Sequence, residues 1–364
     1  MSEKSITKIV ITGGPCAGKS TALSWINNAF TSKGYTVLIV PETATELITG
    51  GVAPWTTNTN GDYQICQMSL QIEKERIFEL AAKNMPGDRI LIVCDRGALD
   101  NRAYMNDEEF ARVLDAVHLN AVELRDYYDA VFHLVTAAKG AEQFYTKDNN
   151  AARYESVEEA RALDDRLIAA WNGHPHLRII DNATAFEEKM MRLISEMTAF
   201  LGEPEPYEIE RKFLIRYPDV ATLERMPNTT KVEIRQTYLR GNPDEEIRLR
   251  QRGIDGHYCY YQTVKRPAGD GKRIEIERRL TMDQYLSLLM EADPSLHPIR
   301  KTRYYLTHRN HVFEIDLYSF WHDQAIMEIE LNSPDEEFEL PEEIQVIREV
   351  TDDPAFKNHA LARI

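Results

Sequence analysis

Up to about residue 202, short apolar runs alternate with long amphipathic stretches. KIVIT (8–12), YTVLIV (35–40), RILIVCD (89–95), AVFHLV (130–135) and LRIID (177–181) are continuous apolar runs, the pattern of strands covered on both faces. Between them lie helical patterns such as YQICQMSLQIEKERIFELAAKN, which stops at Met85-Pro86-Gly87. Strand and helix in alternation predict a parallel α/β sheet with right-handed crossovers. At TAFLGEPEPYE the pattern breaks, because Gly202 and the two prolines that follow end a helix and bar a central strand. The division this predicts is a first domain over 1–202, a linker over 203–206 and a second domain over 207–364. In that second part, turn clusters at RGNPDEE, RGIDGH and RPAGDGK separate runs that alternate strictly, so the expectation is a mainly antiparallel α+β domain.

Charge sharpens this picture in the second part. PYEIERKFLIR (206–216) sets Glu208, Glu210 and Lys212 on one face of a strand and Ile209, Arg211 and Phe213 on the other. The spacing of two recurs in EIRLRQR (Arg248, Arg250, Arg252), KRIEIERRL (Arg273, Glu275, Glu277), RKTRYY (Lys301, Arg303), FEIDLY (Glu314, Asp316) and IMEIELN (Glu328, Glu330). YYQTVKRP adds Lys265, and VEIRQTYL adds Arg235 and Tyr238. A single such strand reads as one wet side of a sheet. The series as a whole reads differently, since the charges are sorted by strand into acidic and basic pairs. Acidic pairs supply oxygen ligands for Mg²⁺ or Mn²⁺, and basic strands suit a polyphosphate.

The first part carries its own chemistry. GGPCAGKS follows the first apolar run and opens the helical pattern STALSWINNAF, the context a phosphate-binding loop requires. Backbone amides of Gly13, Gly14, Pro15, Cys16, Ala17, Gly18, Lys19, Ser20 and Thr21 form the expected cradle, proline serving only as a turn since it has no N–H. Lys19 is placed to reach the β- and γ-phosphates and Ser20 to ligate Mg²⁺. Asp95, at the end of RILIVCDRG, is a Walker-B candidate for the same metal or, alternatively, a helix cap, and Arg96 follows it. Glu42 in VPET stands at the tip of the second strand, as a proton acceptor for a substrate hydroxyl or as an exposed loop acid. The polar segment KGAEQFYTKDNNAARYESVEEAR brings Lys147, Arg153 and Arg161, either as a lid supplying cations or as a solvated loop. The guanine-reading order NKxD is missing, which leaves ATP and GTP both open.

At 364 residues the chain exceeds one typical core. Its net charge of -16 argues against bulk electrostatic binding of nucleic acid. The four cysteines lie far apart without metal-ligand spacing, as expected in a reducing cytoplasm. No stretch approaches the roughly 20 apolar residues of a membrane span.

Resemblances to known families follow. The first part resembles small P-loop kinases of the AAA-type ATPase group that includes ribosylnicotinamide-kinase-like domains, which pair an acid after strand two with a DR motif after strand three. EIERKFLI carries the ExExK signature of CYTH domains, the triphosphate tunnel metalloenzymes, and the similarity continues in order through MEIEL. It implies an eight-stranded antiparallel tunnel with the charges inside. It also implies triphosphate binding by Lys212, Arg248, Arg250, Lys265, Lys301 and Arg303, with Arg235 and Arg273 as further candidates. Divalent metal would be held by Glu275, Glu277, Asp316, Glu328 and Glu330, with Glu208 and Glu210 at a second position. Tyr238 pairs with Lys212 in some such proteins, and residues after 333 are expected to be acidic and then helical, as a lid or packing helix. The two parts in this order are similar to the proteins named for a defect in translocation of the TRPL channel, which bind GTP and phosphoinositide, and more loosely to plant uridine-kinase-like tunnel proteins. Two functions follow: a P-loop phosphotransferase or NTPase joined to a metal-dependent triphosphate hydrolase, or a nucleotide-sensing switch whose tunnel holds a phosphoinositide or other phosphorylated ligand without turnover.

Overall fold

The computed structural model describes residues 4–145, 156–202, 209–241, 245–269, 272–331 and 336–363, with backbone alone at 144, 266–269 and 272–276. The described residues divide into two compact units, Met1–Met197 and Thr198–Ile364. Among them no helix is long and apolar enough to cross a membrane.

In the first unit, β1 (Ser5–Gly13), β2 (Thr36–Val40), β3 (Arg89–Asp95), β4 (Ala130–Leu134) and β5 (Leu177–Ile180) form a parallel sheet in the order β2-β3-β1-β4-β5. The apolar runs are its buried centre: Ile9, Val10, Ile11 and Ile90 to Cys94 are 1% exposed or less. Because β1 lies between β3 and β4, the chain changes direction beside it, and ligands of open parallel sheets sit at the carboxyl ends of the strands at such a point. Gly13 is the residue that leaves the sheet there. Its φ is 144°, and a Cβ on it would stand 2.1 Å from the Leu134 carbonyl oxygen, so no other residue fits the turn.

Among the described residues the second unit forms a nine-stranded antiparallel sheet. Its strands are β6 (Ile209–Arg216), β7 (Thr229–Tyr238), β8 (Glu246–Ile254), β9 (His257–Gly269), β10 (Lys272–Leu280), β11 (Ile299–His308), β12 (His311–Tyr318), β13 (Gln324–Leu331) and β14 (Val346–Glu349), in the order β10-β9-β8-β7-β11-β12-β13-β6-β14. Asp255-Gly256 and Arg309-Asn310 make the tight turns of two hairpins, both residues of each pair having positive φ. The outer face is apolar. Phe213, Ile215, Phe313, Ile315, Met327 and Ile329 pack there under Leu223 and Ile344. The inner face carries the charges.

The ninth strand corrects the expectation of eight, and it arises from the segment expected to be acidic and then helical. β14, VIRE, puts two β-branched residues before two charged ones and pairs with the free edge of β6. The remainder of that segment does reach a short helix, Asn358–Leu361. Val350, Leu361 and Ala362 pack with Leu214, Tyr238, Ile299, Tyr318 and Ile326, which are inner-face residues from five strands, and so fill one end of the interior.

Candidate functional site

At the carboxyl end of β1, Gly18 takes φ 90° and caps the helix Lys19–Ser32 without a side-chain bond of its own. Lys19 Nζ donates to the Gly13 carbonyl at 3.3 Å. Burial, and then the nearby Arg96, lowers its pKa to about 8 against the opposing pull of Glu42 and Asp95. A bound anion would reverse this. Ser20 and Thr21 open the helix and are exposed.

Asp95 ends β3, where burial raises its carboxyl and Lys19 counteracts. Its Oδ1 is buried with no hydrogen-bond partner among the described residues, as suits a carboxylate that reaches a metal or its water. Arg96 holds a left-handed φ of 70° and donates from Nε to Glu42 Oε1 at 2.5 Å. Thr45 Oγ1 donates to the other Glu42 oxygen at 2.6 Å. Burial alone would raise Glu42, but Arg96 and Thr45 bring it down to about 2. Asp100, which motif reasoning passed over, accepts from Thr12 Oγ1 at 2.8 Å and Trp171 Nε1 at 2.5 Å and lies 3.5 Å from Arg96 Nη1. It is the buried anchor of this group, and a third acid in GALD five residues past Asp95 was its only trace in the sequence.

In the second unit Lys212, Arg248, Arg252, Lys301 and Arg303 all face the interior and are each 7% exposed or less. Carboxylates interleave with them. Lys212 Nζ lies 2.9 Å from Glu328 Oε1 and 3.4 Å from Glu210 Oε1. Arg303 meets Asp316 through Nε at 2.7 Å and Nη2 at 2.6 Å, Glu328 at 3.2 Å, and Glu314 through Nη1. Lys301 shares Asp316 with it. Arg250 Nη1 is 3.4 Å from Glu277, which also accepts from Thr263 Oγ1 at 2.9 Å. Such pairing offsets the desolvation that isolated buried charges would suffer.

The family models decide the identity of both parts. Residues 8–189 match an AAA domain and residues 206–354 match a CYTH domain. The chain belongs to the AAA domain family and carries a CYTH domain after it. No curated protein matches the chain. Two solved structures, described as a hypothetical protein and as an inorganic triphosphatase, are 31% and 30% identical, with TM-scores of 0.31 and 0.30. Each covers 43% of this chain, and the matches span 98% and 95% of those chains. A protein of Pyrococcus horikoshii is 21% identical over 35% of this chain and 81% of its own, with a TM-score of 0.28.

Within the CYTH domain each shift is set by burial acting against the charges beside the group. Burial, and then Arg303, lowers Lys301 to about 8. Lys212 is raised: burial opposes its charge, and Glu328 and Glu210 outweigh burial. Burial would raise Glu328, yet Lys212 and Arg303 hold it well below the usual carboxylate range. Glu210 moves the other way, raised by burial and by Glu328 beside it, and Glu314 is raised by burial with Glu330 and Glu328 adding to the effect. Glu210 stands directly opposite Glu330 in the β6–β13 register, and Glu330 is exposed. Like charges so placed repel, and Lys212 and Lys265 offset that repulsion on the Glu210 side. Carboxylate oxygens are ligands of hard cations, and among the described residues no three carboxylate, His or Cys side chains converge as a cage.

Several expected residues stand apart from this group. Arg235 is exposed, on the face opposite Gln236 and Tyr238, near Tyr285. Tyr238 is not paired with Lys212. Its hydroxyl accepts from Gln236 Nε2 at 2.7 Å, and its ring meets His359 at 5.1 Å. Lys265 faces inward and is felt electrostatically by Glu210. Glu208, Lys147 and Arg153 lie outside the described residues, as do the side chains of Arg273 and Glu275. Arg161 donates to the Ala138 carbonyl at 2.6 Å and to Glu142 at 2.7 Å. Glu314, quoted in its motif but not assigned a role, belongs with the inward acids, and its position two residues before Asp316 was the signal.

Proposed function

We propose that the CYTH domain hydrolyses a terminal phosphoanhydride of a triphosphate and that the AAA domain binds ATP or GTP and transfers or hydrolyses its γ-phosphate. The observation that carries the first half is the set of five buried cations on one inner face, a concentration of positive charge suited to a polyanion. Lys212, Arg248, Arg250, Lys265, Lys301 and Arg303 hold the phosphate oxygens. Glu210, Glu277, Asp316, Glu328 and Glu330 are the described residues that would hold Mg²⁺ or Mn²⁺, which supplies charge neutralisation of the phosphate when bound. Water adds to the terminal phosphorus, the bridging P–O bond breaks, and phosphate leaves with the shortened chain.

In the AAA domain, residues 13–21 cradle the nucleotide phosphates, and Ser20 and Asp95 fit Mg²⁺. Glu42, brought down to about 2, is a poor proton store at neutral pH, so with Arg96 it orients the acceptor hydroxyl or water through hydrogen bonds. A second reading is favoured by the ion pairs themselves. Glu328 and Asp316 already serve as counter-ions to Lys212, Lys301 and Arg303, a task they can perform in a tunnel that only binds.

Phosphate release by the full chain from tripolyphosphate, ATP and GTP, with Mg²⁺ or with Mn²⁺, separates the two. Release from tripolyphosphate is expected to survive Lys19→Ala and to vanish in Glu328→Ala. If the wild type binds tripolyphosphate but releases nothing with either metal, the hydrolase reading falls and the switch stands.

A further inference from the structure

The phosphate loop of the AAA domain is gripped from behind by three side chains that none of the motifs contain. Asp164, on the helix Val157–Trp171 and wholly buried, accepts at Oδ1 from the Gly14 amide at 3.0 Å and the Thr136 amide at 3.1 Å. His133 Nε2 lies 3.0 Å from the same oxygen, and Lys139 Nζ donates to Oδ2 at 2.9 Å. Lys189, on the helix Phe186–Phe200 and 2% exposed, donates to the carbonyls of Ala17 at 3.3 Å and Val135 at 2.7 Å and to Asn182 Oδ1 at 2.7 Å. Thr136 Oγ1 donates to the Pro15 carbonyl at 2.5 Å. A carboxylate thus takes an amide of the loop, while an ammonium and a hydroxyl take two of its carbonyls. All three grips run to Val135 and Thr136, just past the end of β4, or come from them.

The directions matter because a trans peptide is planar, with its C=O and the following N–H pointing opposite ways. Holding the Pro15 carbonyl back turns the Cys16 N–H forward. Holding the Ala17 carbonyl back does the same for Gly18. The Gly13–Gly14 peptide is set in the reverse sense, its amide drawn back to Asp164 and its carbonyl forward to Lys19. We propose that Thr136, Asp164 and Lys189 are positioning residues of the nucleotide site, which set in advance the peptide orientations that present the Cys16 and Gly18 amides to the β-phosphate side of the loop. Lys189 adds a second effect: its direct partners are neutral oxygens, and the part of its field that Asp164 does not offset favours an anion in front of the loop. Burial lowers its pKa to about 8, in keeping with a charge that gains from an anion nearby.

The inference rests on reading residues 13–21 as the nucleotide cradle, and the test separates the two. Equilibrium binding of ATP and GTP with Mg²⁺ is measured on the full chain, and the share removed by Lys19→Ala is assigned to the cradle. Thr136→Val keeps shape and deletes the hydroxyl, and is expected to weaken that share about fivefold to tenfold, with Thr136→Ser restoring it. Lys189→Met is expected to weaken it by about tenfold or more. A cradle share that is present and unchanged in Thr136→Val and in folded Lys189→Met overturns the positioning role and leaves the cradle intact. If Lys189→Met does not fold, the Thr136 pair decides. Absence of any Lys19-dependent binding in the wild type overturns the cradle reading itself.

Discussion

Asp316→Asn deletes the carboxylate that Lys301 and Arg303 share inside the CYTH domain. Asp316 is wholly buried and takes two bonds from Arg303 at 2.7 and 2.6 Å as well as the Lys301 ammonium. Removing one partner of such a group costs about 3–5 kcal/mol. Two features trim this. Arg303 keeps Glu314 and Glu328, and Lys301, at about 8, can shed its proton at pH 7 for about 1.4 kcal/mol. The expected loss is therefore about 2 kcal/mol near neutrality. Its pH dependence has a definite sign. Lys301 is lowered from 10.5 to about 8 on folding, so the unfolded chain keeps that proton longer and stability from this group rises as pH climbs between those values. Without Asp316 the folded value falls further, so the deficit of the variant is fullest below that lowered value, shrinks as pH rises from it to about 8, and is constant above, leaving the Arg303 part. Calorimetry of the full chain at about pH 7 and about pH 9 follows the unfolding of each unit. A deficit that grows with pH, or one confined to the first unit, would refute the reasoning.

Other substitutions probe the AAA domain and the metal. Gly97→Ala sets a Cβ 2.6 Å from Trp171 Cζ2 and 2.8 Å from Val10 Cγ2, and is expected to destabilise the first unit by about 1–3 kcal/mol in thermal unfolding. Arg96→Gln frees Glu42 to respond to burial, so its pKa rises from about 2 and the acid limb of nucleotide hydrolysis moves to higher pH; a pH–rate profile identical to wild type contradicts this. Chelation by EDTA is expected to stop release from tripolyphosphate and added Mg²⁺ or Mn²⁺ to restore it, whereas release that continues in EDTA excludes the metal.

The sequence revealed the parts of this molecule that repeat a local rule. Continuous apolar runs marked β1 to β5 because both faces of that sheet are covered, and GGPCAGKS marked its own turn because Gly13 has no substitute. Alternation marked the charged strands of the CYTH domain, but it does not say which face is inside. On β7 the inner face is Val232, Ile234, Gln236 and Tyr238, so Arg235, three residues from Tyr238, must point the other way. The partners of the cations were equally hidden, since Lys212 with Glu328 and Arg303 with Glu314 come from strands whose register no single segment specifies. Asp164 and Lys189 were illegible for the same reason: each lies on a helix as an ordinary amphipathic position, and only the return of the chain over β4 brings it behind the loop.

The segment that seats Leu361 and Ala362 against Leu214, Tyr238 and Ile326 has a consequence for traffic. An inner face plugged at one end leaves its charged residues to be reached from the other. On the proposed triphosphatase reading, a linear polyphosphate meets Glu210 and Glu330 before Lys301 and Asp316, and the apolar plug bars it from threading on past them. Under that proposal each cut is a separate visit, and the depth of the charged face, not the length of the chain outside it, limits how many phosphates are gripped at once.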